Sequence, residues 1–375
     1  MLYLFALLVF SVFIINFPIL VKYKNDNYSR IFESTITILF LLLVTFRPVN
    51  IIPDVINYKT AFERITVGYQ GFNPLIRDYT TAMEYGFVYL MILFKALGLN
   101  YYFFTFFISC VSIICIKKFV YSYVVSYHRE ETDFNFRYLY FFGAYIVYYG
   151  LYYNFITIRS LLAIDFLLFA FIAIKKKKII RSIIFIALSF YIHRLAIVGI
   201  AFYIVLFIEK KHLLNRYKFY LISFFIFFLL EWKFEFIKNV IILILKPLLQ
   251  KLEYMTYASR KSEGGIARFL QILLWFMNSF IIYDFLRRSN RRTLLYDLLI
   301  IQMIGLIIAT VFCKQEGAYR IFDFFMIFIL PINCLIICDR KYLYKSIKRK
   351  LFFIINQNLF LLISFRSFAM VFLQG

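Results

Sequence analysis

Arg159, His193 and Arg194 are the residues whose types and places could most directly do chemistry. Arg159 follows NFITI at the start of a long apolar run, and His193 and Arg194 close the next run, SFYIHR. A guanidinium presents a planar fork of donors that suits a phosphate or diphosphate. An imidazole titrating near neutrality suits proton transfer from a hydroxyl. Each also has a plainer reading: an arginine snorkelling to headgroups, and a histidine serving as a polar cap at a helix end. Arg320, in KQEGAYRIFDFF, repeats the Arg159 arrangement at another helix start, and Gly317 loosens the turn before it. Asp323, one turn further on, offers Arg320 an intrahelical partner. In the polar stretch 47–85, Asp54 and Glu84 are the carboxylates that could act as acid or base; solvated loop charge is their plainer reading. Asp165 lies six residues past Arg159, about 9 Å deeper along a helix. That is not a same-face spacing, so the two do not pair and Asp165 needs another partner.

The elements that must position these groups form a hairpin over 154–194. Two apolar helices are joined by a four-lysine turn, Lys175 to Lys178, which carries Arg159 and His193 to the opposite end. Around it the chain is 63% hydrophobic with a mean hydropathy of +0.80. Runs of about bilayer length recur from end to end, more apolar surface than a soluble protein of this size can hide. No alternating strand pattern is present, and backbone satisfaction in lipid then demands helices. The sequence predicts an all-α polytopic integral membrane protein, a single membrane domain over 1–375.

The predicted helices lie near 2–21, 33–46, 101–116, 138–153, 156–174, 179–193, 195–208, 217–231, 266–286, 294–313, 320–338 and 351–373, about twelve spans by length. The segment 86–98, GFVYLMILFKALG, is too short to cross and reads as re-entrant or interfacial. With that segment not crossing, the loops 22–32, 117–137, 175–181, 209–218, 287–292 and 339–350 share one side. They hold more than half of the 43 Lys and Arg, which makes that side cytoplasmic. The outer face receives 47–100, 150–159, 193–195, 232–265 and 314–320. Within 47–85, Pro48, Pro53 and Pro74 argue against one continuous helix. In 232–265, lysines interrupt apolar residues and Pro247 breaks the run, as in an amphipathic helix lying on the outer surface.

The net charge of +23 sits mostly in short loops between apolar runs. It is therefore a topology signal, and no nucleic-acid partner is expected. The five cysteines lie in or at the ends of apolar runs without a CxxC pair. With three histidines and no HxxxH or DxD element, neither a metal nor another cofactor is expected. The N-terminal run has no preceding basic residue and no small-residue cleavage site, so it reads as a retained first helix.

The order RPVNIIPDVINYKTAF, MEYGF, FITIRSLLA, FYIH and AYR resembles the EpsG family of polysaccharide polymerases, relatives of the Wzy-type polymerases. The family pattern falls on Arg47, Asp54, Tyr58, Glu84, Arg159, His193 and Arg320, over about 45–325. Ile52 stands where the family often has Gly, and Ser160 replaces the usual Gln. The resemblance implies a GT-C-like membrane transferase acting at the outer face of the bacterial cytoplasmic membrane. It would join undecaprenyl-diphosphate-linked oligosaccharides, with membrane lipid, a flippase and a chain-length regulator as companions. Arginines would neutralise the diphosphate leaving group and a His or carboxylate would activate one hydroxyl. On that reading His193, Asp54 and Glu84 are the catalytic candidates, and Arg47, Tyr58, Arg159, Arg194 and Arg320 the substrate-binding ones. Two other classes also suit the residues: a flippase or transporter of lipid-linked oligosaccharide, and another membrane transferase such as a sugar O-acyltransferase or a glycan ligase.

Overall fold

A computed structural model describes residues 2–20, 27–48, 53–65, 83–128, 138–203, 213–234, 265–288, 295–311, 324–339, 342–343 and 345–374, and these are helical with no strand among them. The chain divides into two compact units, one built from 1–122, 131–203 and 364–375, the other from 123–130 and 204–363.

The first unit holds α1 (Leu2–Leu20), α2 (Asn27–Thr45), α3 (Pro53–Arg64), α4 (Tyr85–Ala96) and α5 (Tyr101–His128), the last up to Ser122. It continues with α6 (Tyr138–Tyr145), a π-helical turn (Ile146–Gly150), α7 (Leu151–Phe155), α8 (Ile158–Lys175), α9 (Ile179–Ile192) and a 3₁₀ stretch (Arg194–Tyr203). The α8–α9 hairpin is its centre, turned by Lys177 in the left-handed region at φ 55°. The inner helix α8 is buried nearly all round, whereas α9 exposes an apolar face of Ile180 (77% exposed), Ile183, Ile184 and Leu188. A helix that turns isoleucines outward is built to face lipid.

Two helices are long and apolar enough to cross a bilayer by length and composition, Tyr101–Tyr127 and Phe269–Arg288, and seven shorter apolar helices accompany them among the described residues. The expected dozen spans are therefore not reached by counting here. The chain is nonetheless a helical membrane protein.

Three expectations change. First, α5 does not end near residue 116. Lys117 and Lys118 interrupt the apolar run, but Phe119, Val120, Tyr123, Val124 and Tyr127 continue its buried face. Glu33 of α2 supplies counter-charge to Lys117. Second, the stretch after Arg47 is not all loop. Pro53 opens α3 at a position where its missing N–H costs nothing. Third, the segment expected as a helix over 195–208 is a 3₁₀ stretch as far as Tyr203.

At twelve residues α4 is about 18 Å long, well short of a bilayer core. Phe87 and Phe94, at its two ends, both meet Phe104 near the start of α5, at 5.7 and 5.3 Å between ring centroids. Lys95 Nζ donates to the Phe62 carbonyl (3.0 Å) and to that of Glu63, satisfying the last turn of α3. The helix thus packs against the last turn of α3 and the start of α5.

The second unit contains α10 (Leu213–Phe234), α11 (Gly265–Arg288), α12 (Tyr296–Val311), α13 (Leu330–Cys338) and α14 (Ile347–Gln374), the last up to Ile363. A buried hydrogen-bond chain ties three of them: Tyr217 Oη donates to Gln302 Oε1 (3.1 Å), and Gln302 Nε2 to Ser279 Oγ (2.5 Å). In an apolar surround such side-chain bonds hold helices in register. The surface helix expected within 232–265 falls mostly at 235–264, outside the described residues.

Candidate active site around Glu84

Glu84 precedes α4 in an extended conformation (φ −74°, ψ 145°) and makes no side-chain cap on its own helix. Its carboxylate turns instead to the α8–α9 hairpin. Oε2 accepts from Arg159 Nη1 at 2.6 Å, and Oε1 accepts from the backbone N–H of Arg194 at 2.9 Å. His193 Nδ1 lies 3.1 Å from the same Oε1. One carboxylate therefore gathers three donors from two helix ends.

Each donor is where it is for a local reason. Arg159 stands in the first turn of α8, after Thr157 breaks the run from α7. His193 is the C-cap of α9: its N–H donates to the Ser189 carbonyl at 2.8 Å while its own backbone is extended (φ −153°, ψ 115°). That break in the helix aims the Arg194 N–H sideways at Glu84. The His193, Arg159 and Glu84 side chains are each mostly buried, at 10%, 16% and 12% exposure.

Burial alone would raise the Glu84 pKa. The His193 hydrogen bond, the charges of Arg159 and His193 and the Arg194 N–H outweigh it and hold the group at about 2. Glu84 is therefore a carboxylate near neutral pH and can only accept. The proton of the shared bond must then sit on His193 Nδ1, which fixes the tautomer and makes Nε2 the proton-accepting nitrogen.

Tyr58, on the buried face of α3, sets its ring 5.9 Å from the Arg159 guanidinium carbon and 5.5 Å edge-to-face from Phe87. Arg47 forms a second cationic point in this unit. It is 2% exposed and lies beside the Tyr101 hydroxyl; Nη1 donates to the Val44 carbonyl at 2.7 Å, whereas Nε and Nη2 meet no acceptor at hydrogen-bonding geometry among the described residues. The aromatic groups electrostatically next to Arg47 are Tyr101 and Tyr3. Arg194 keeps its side chain exposed. Asp54 stands part-exposed in the first turn of α3, and none of its contacts among the described residues joins it to the Glu84 group. Arg320 and Asp323 lie outside the described residues.

The chain is matched by the EpsG family over residues 30–373. It belongs to the EpsG family. Neither a curated protein nor a solved structure gives a significant match. Membership makes this a membrane protein of polysaccharide biosynthesis with a glycosyltransferase-like role. In this EpsG-family chain, Tyr58, Glu84, Arg159, His193 and Arg194 come together, although the sequence distributes them over four separate stretches. Among the described residues, no three His, Cys, Asp or Glu side chains gather in a group that could hold a metal.

Some participants were not foreseen. The Arg194 backbone N–H carries no sequence signal, because every residue but proline has one. Gly86 did have a signal, standing two residues after Glu84 in MEYGF; its role depends on a helix crossing visible only in three dimensions. Asp165 finds the partner that its spacing from Arg159 denied it: Ser112 Oγ of α5 donates to its Oδ2.

Proposed function

We propose that the chain is a polysaccharide polymerase, joining lipid-diphosphate-linked oligosaccharide repeat units at the outward face of a bacterial cytoplasmic membrane. The observation carrying this reading is the Glu84–His193 pair. A histidine held by a carboxylate on Nδ1 is oriented to take a proton through Nε2. The proton comes from the acceptor sugar hydroxyl, whose oxygen attacks the anomeric carbon of the donor glycan. A glycosidic C–O bond forms as the bond from that carbon to the lipid diphosphate breaks, and the diphosphate leaves as the anion. It is already a good leaving group, so charge stabilisation is the main remaining requirement.

The geometry favours a division of labour different from that suggested by residue type. Glu84, ionised and engaged at both oxygens, orients His193 rather than carrying the proton. Arg159 has one donor committed to Glu84, so it locks the carboxylate as well as adding positive charge. Arg47, with two buried donor nitrogens that meet no acceptor among the described residues, and the exposed Arg194 suit the diphosphate better. Asp54 and Arg320 remain substrate-contact or acid/base candidates on the family pattern alone. The flippase and chain-length regulator belong to this reading as companions that supply donors and limit growth.

The test is reconstitution of purified protein with lipid-diphosphate-linked repeat units. A ladder of longer glycans is the expected product, reduced about 10²–10⁴-fold by His193→Ala. A folded preparation that flips units without joining them, or yields singly modified units, overturns the reading.

A further inference from the structure

Gly86 sits where α4 crosses the end of α9. A Cβ placed on it would stand 2.5 Å from Tyr191 Cδ1, 2.7 Å from the Tyr191 carbonyl oxygen and 2.9 Å from its carbonyl carbon. The ring could swing away, but the two backbone atoms cannot move without moving α9 itself. One turn along, Tyr89 and Tyr191 stack at 6.3 Å with 19° between their planes, so the crossing continues as a close face. Glu84 is two residues before Gly86; His193 and Arg194 are two and three residues after Tyr191. This close approach of Gly86 to the α9 backbone therefore lies directly beside the carboxylate contacts of 3.1 and 2.9 Å.

We infer that Gly86 is a positioning residue: its missing side chain sets the distance at which Glu84 holds His193. The inference rests on the reading of His193 as the base. An alanine there forces α4 and α9 apart by a good fraction of an ångström, which carries the Glu84–His193 pair beyond hydrogen-bonding range. Arg159 approaches Glu84 from α8 and is less affected, so the ion pair can survive while the histidine loses its orienting partner.

The experiment compares wild type, Gly86→Ala and Gly143→Ala in the elongation assay, with carbethoxylation of the three histidines by diethyl pyrocarbonate followed peptide by peptide. Gly143 is the control because its Cβ would press the α1 backbone at Ile14 O (3.1 Å), another helix crossing in the same unit. For Gly86→Ala, kcat falls about 10²-fold with KM for the donor within about twofold. The acid limb of its rate profile moves to lower pH, since a histidine losing its carboxylate protonates less readily. His193 in this variant reacts several-fold faster with the reagent at mildly acid pH, whereas Gly143→Ala shows none of these changes. Wild-type kcat and pH profile in Gly86→Ala overturn the inference, as does a loss shared with Gly143→Ala at unchanged His193 reactivity. If wild type makes no polymer, the polymerase reading fails by itself. The His193 reactivity then still decides the positioning role: unchanged in Gly86→Ala, it is overturned.

Discussion

Glu84 Oε1 and His193 Nδ1 meet at 3.1 Å across 109 residues of chain, and the oxygen between them also receives the Arg194 N–H. The contact joins the start of the short helix α4 to the end of a hairpin arm. It is the point where α4 is fastened to α9, and it decides which histidine nitrogen can take a proton.

The depressed pKa of Glu84 makes a pH prediction whose sign is fixed. Its value falls from an ordinary 4.5 to about 2 on folding. The stabilisation is therefore fully present above pH 4.5 and is lost as pH drops from there towards 2. Thermal unfolding in detergent should show wild type ahead of Glu84→Gln by a margin that holds or widens from pH 8 to 5, as His193 takes up a proton beside the carboxylate, and that shrinks below 4.5. A margin already decaying between pH 7 and 5 would contradict the assignment. It follows that any activity lost between pH 7 and 5 reports a group other than Glu84.

Arg159→Ala removes one of the three donors and the counter-charge of a mostly buried carboxylate. Breaking such a pair costs several kcal/mol when fully buried; with both side chains partly exposed, about 2 kcal/mol is expected. Arg159→Lys restores charge without the planar fork and should recover part of the stability. Both effects are read as shifts in unfolding temperature. Equal stability in the three proteins would remove Arg159 from the lock.

The hairpin of α8 and α9 and the short α4 were legible because apolar run length and charged interruptions dictate them. Arg159 and His193 were legible as a pair of ends, since a lysine turn between two helices of similar length brings both ends to one level. Their shared partner was not: Glu84 sits in a polar stretch where four positive and four negative charges cancel, and no spacing rule selects one of them. The continuation of α5 past Lys117 was hidden for the opposite reason. Two lysines resemble a loop until Glu33 from another helix is seen beside them. The count of spans was least legible, because short apolar helices and bilayer-length ones look alike when their ends are set by packing.

Two buried donor nitrogens of Arg47 meet no acceptor among the described residues, an unfavourable state that an anionic ligand would relieve. On the proposed function, Arg47→Ala raises KM for the lipid-diphosphate donor about tenfold or more, a loss of roughly 1.4 kcal/mol of binding per factor of ten. Arg47→Lys falls between. Inorganic pyrophosphate should raise the unfolding temperature of wild type and do so less for Arg47→Ala. Equal protection of both proteins would place the anion elsewhere.

Ser112 and Asp165 offer a separation of structure from chemistry. The Ser112 hydroxyl donates to Asp165 Oδ2, while Oδ1 has no hydrogen-bond partner among the described residues, and both residues are buried between α5 and α8. Ser112→Ala leaves the whole carboxyl group unsatisfied, which costs about 1–3 kcal/mol. Asp165 sits about 9 Å along α8 from Arg159, too far to touch the Glu84 group. Ser112→Ala should therefore lower the unfolding temperature while kcat and its pH profile, measured well below that temperature, stay as in wild type. A change in the pH profile at unchanged stability would instead make Asp165 part of the proton path, a role its Ser112 contact does not require.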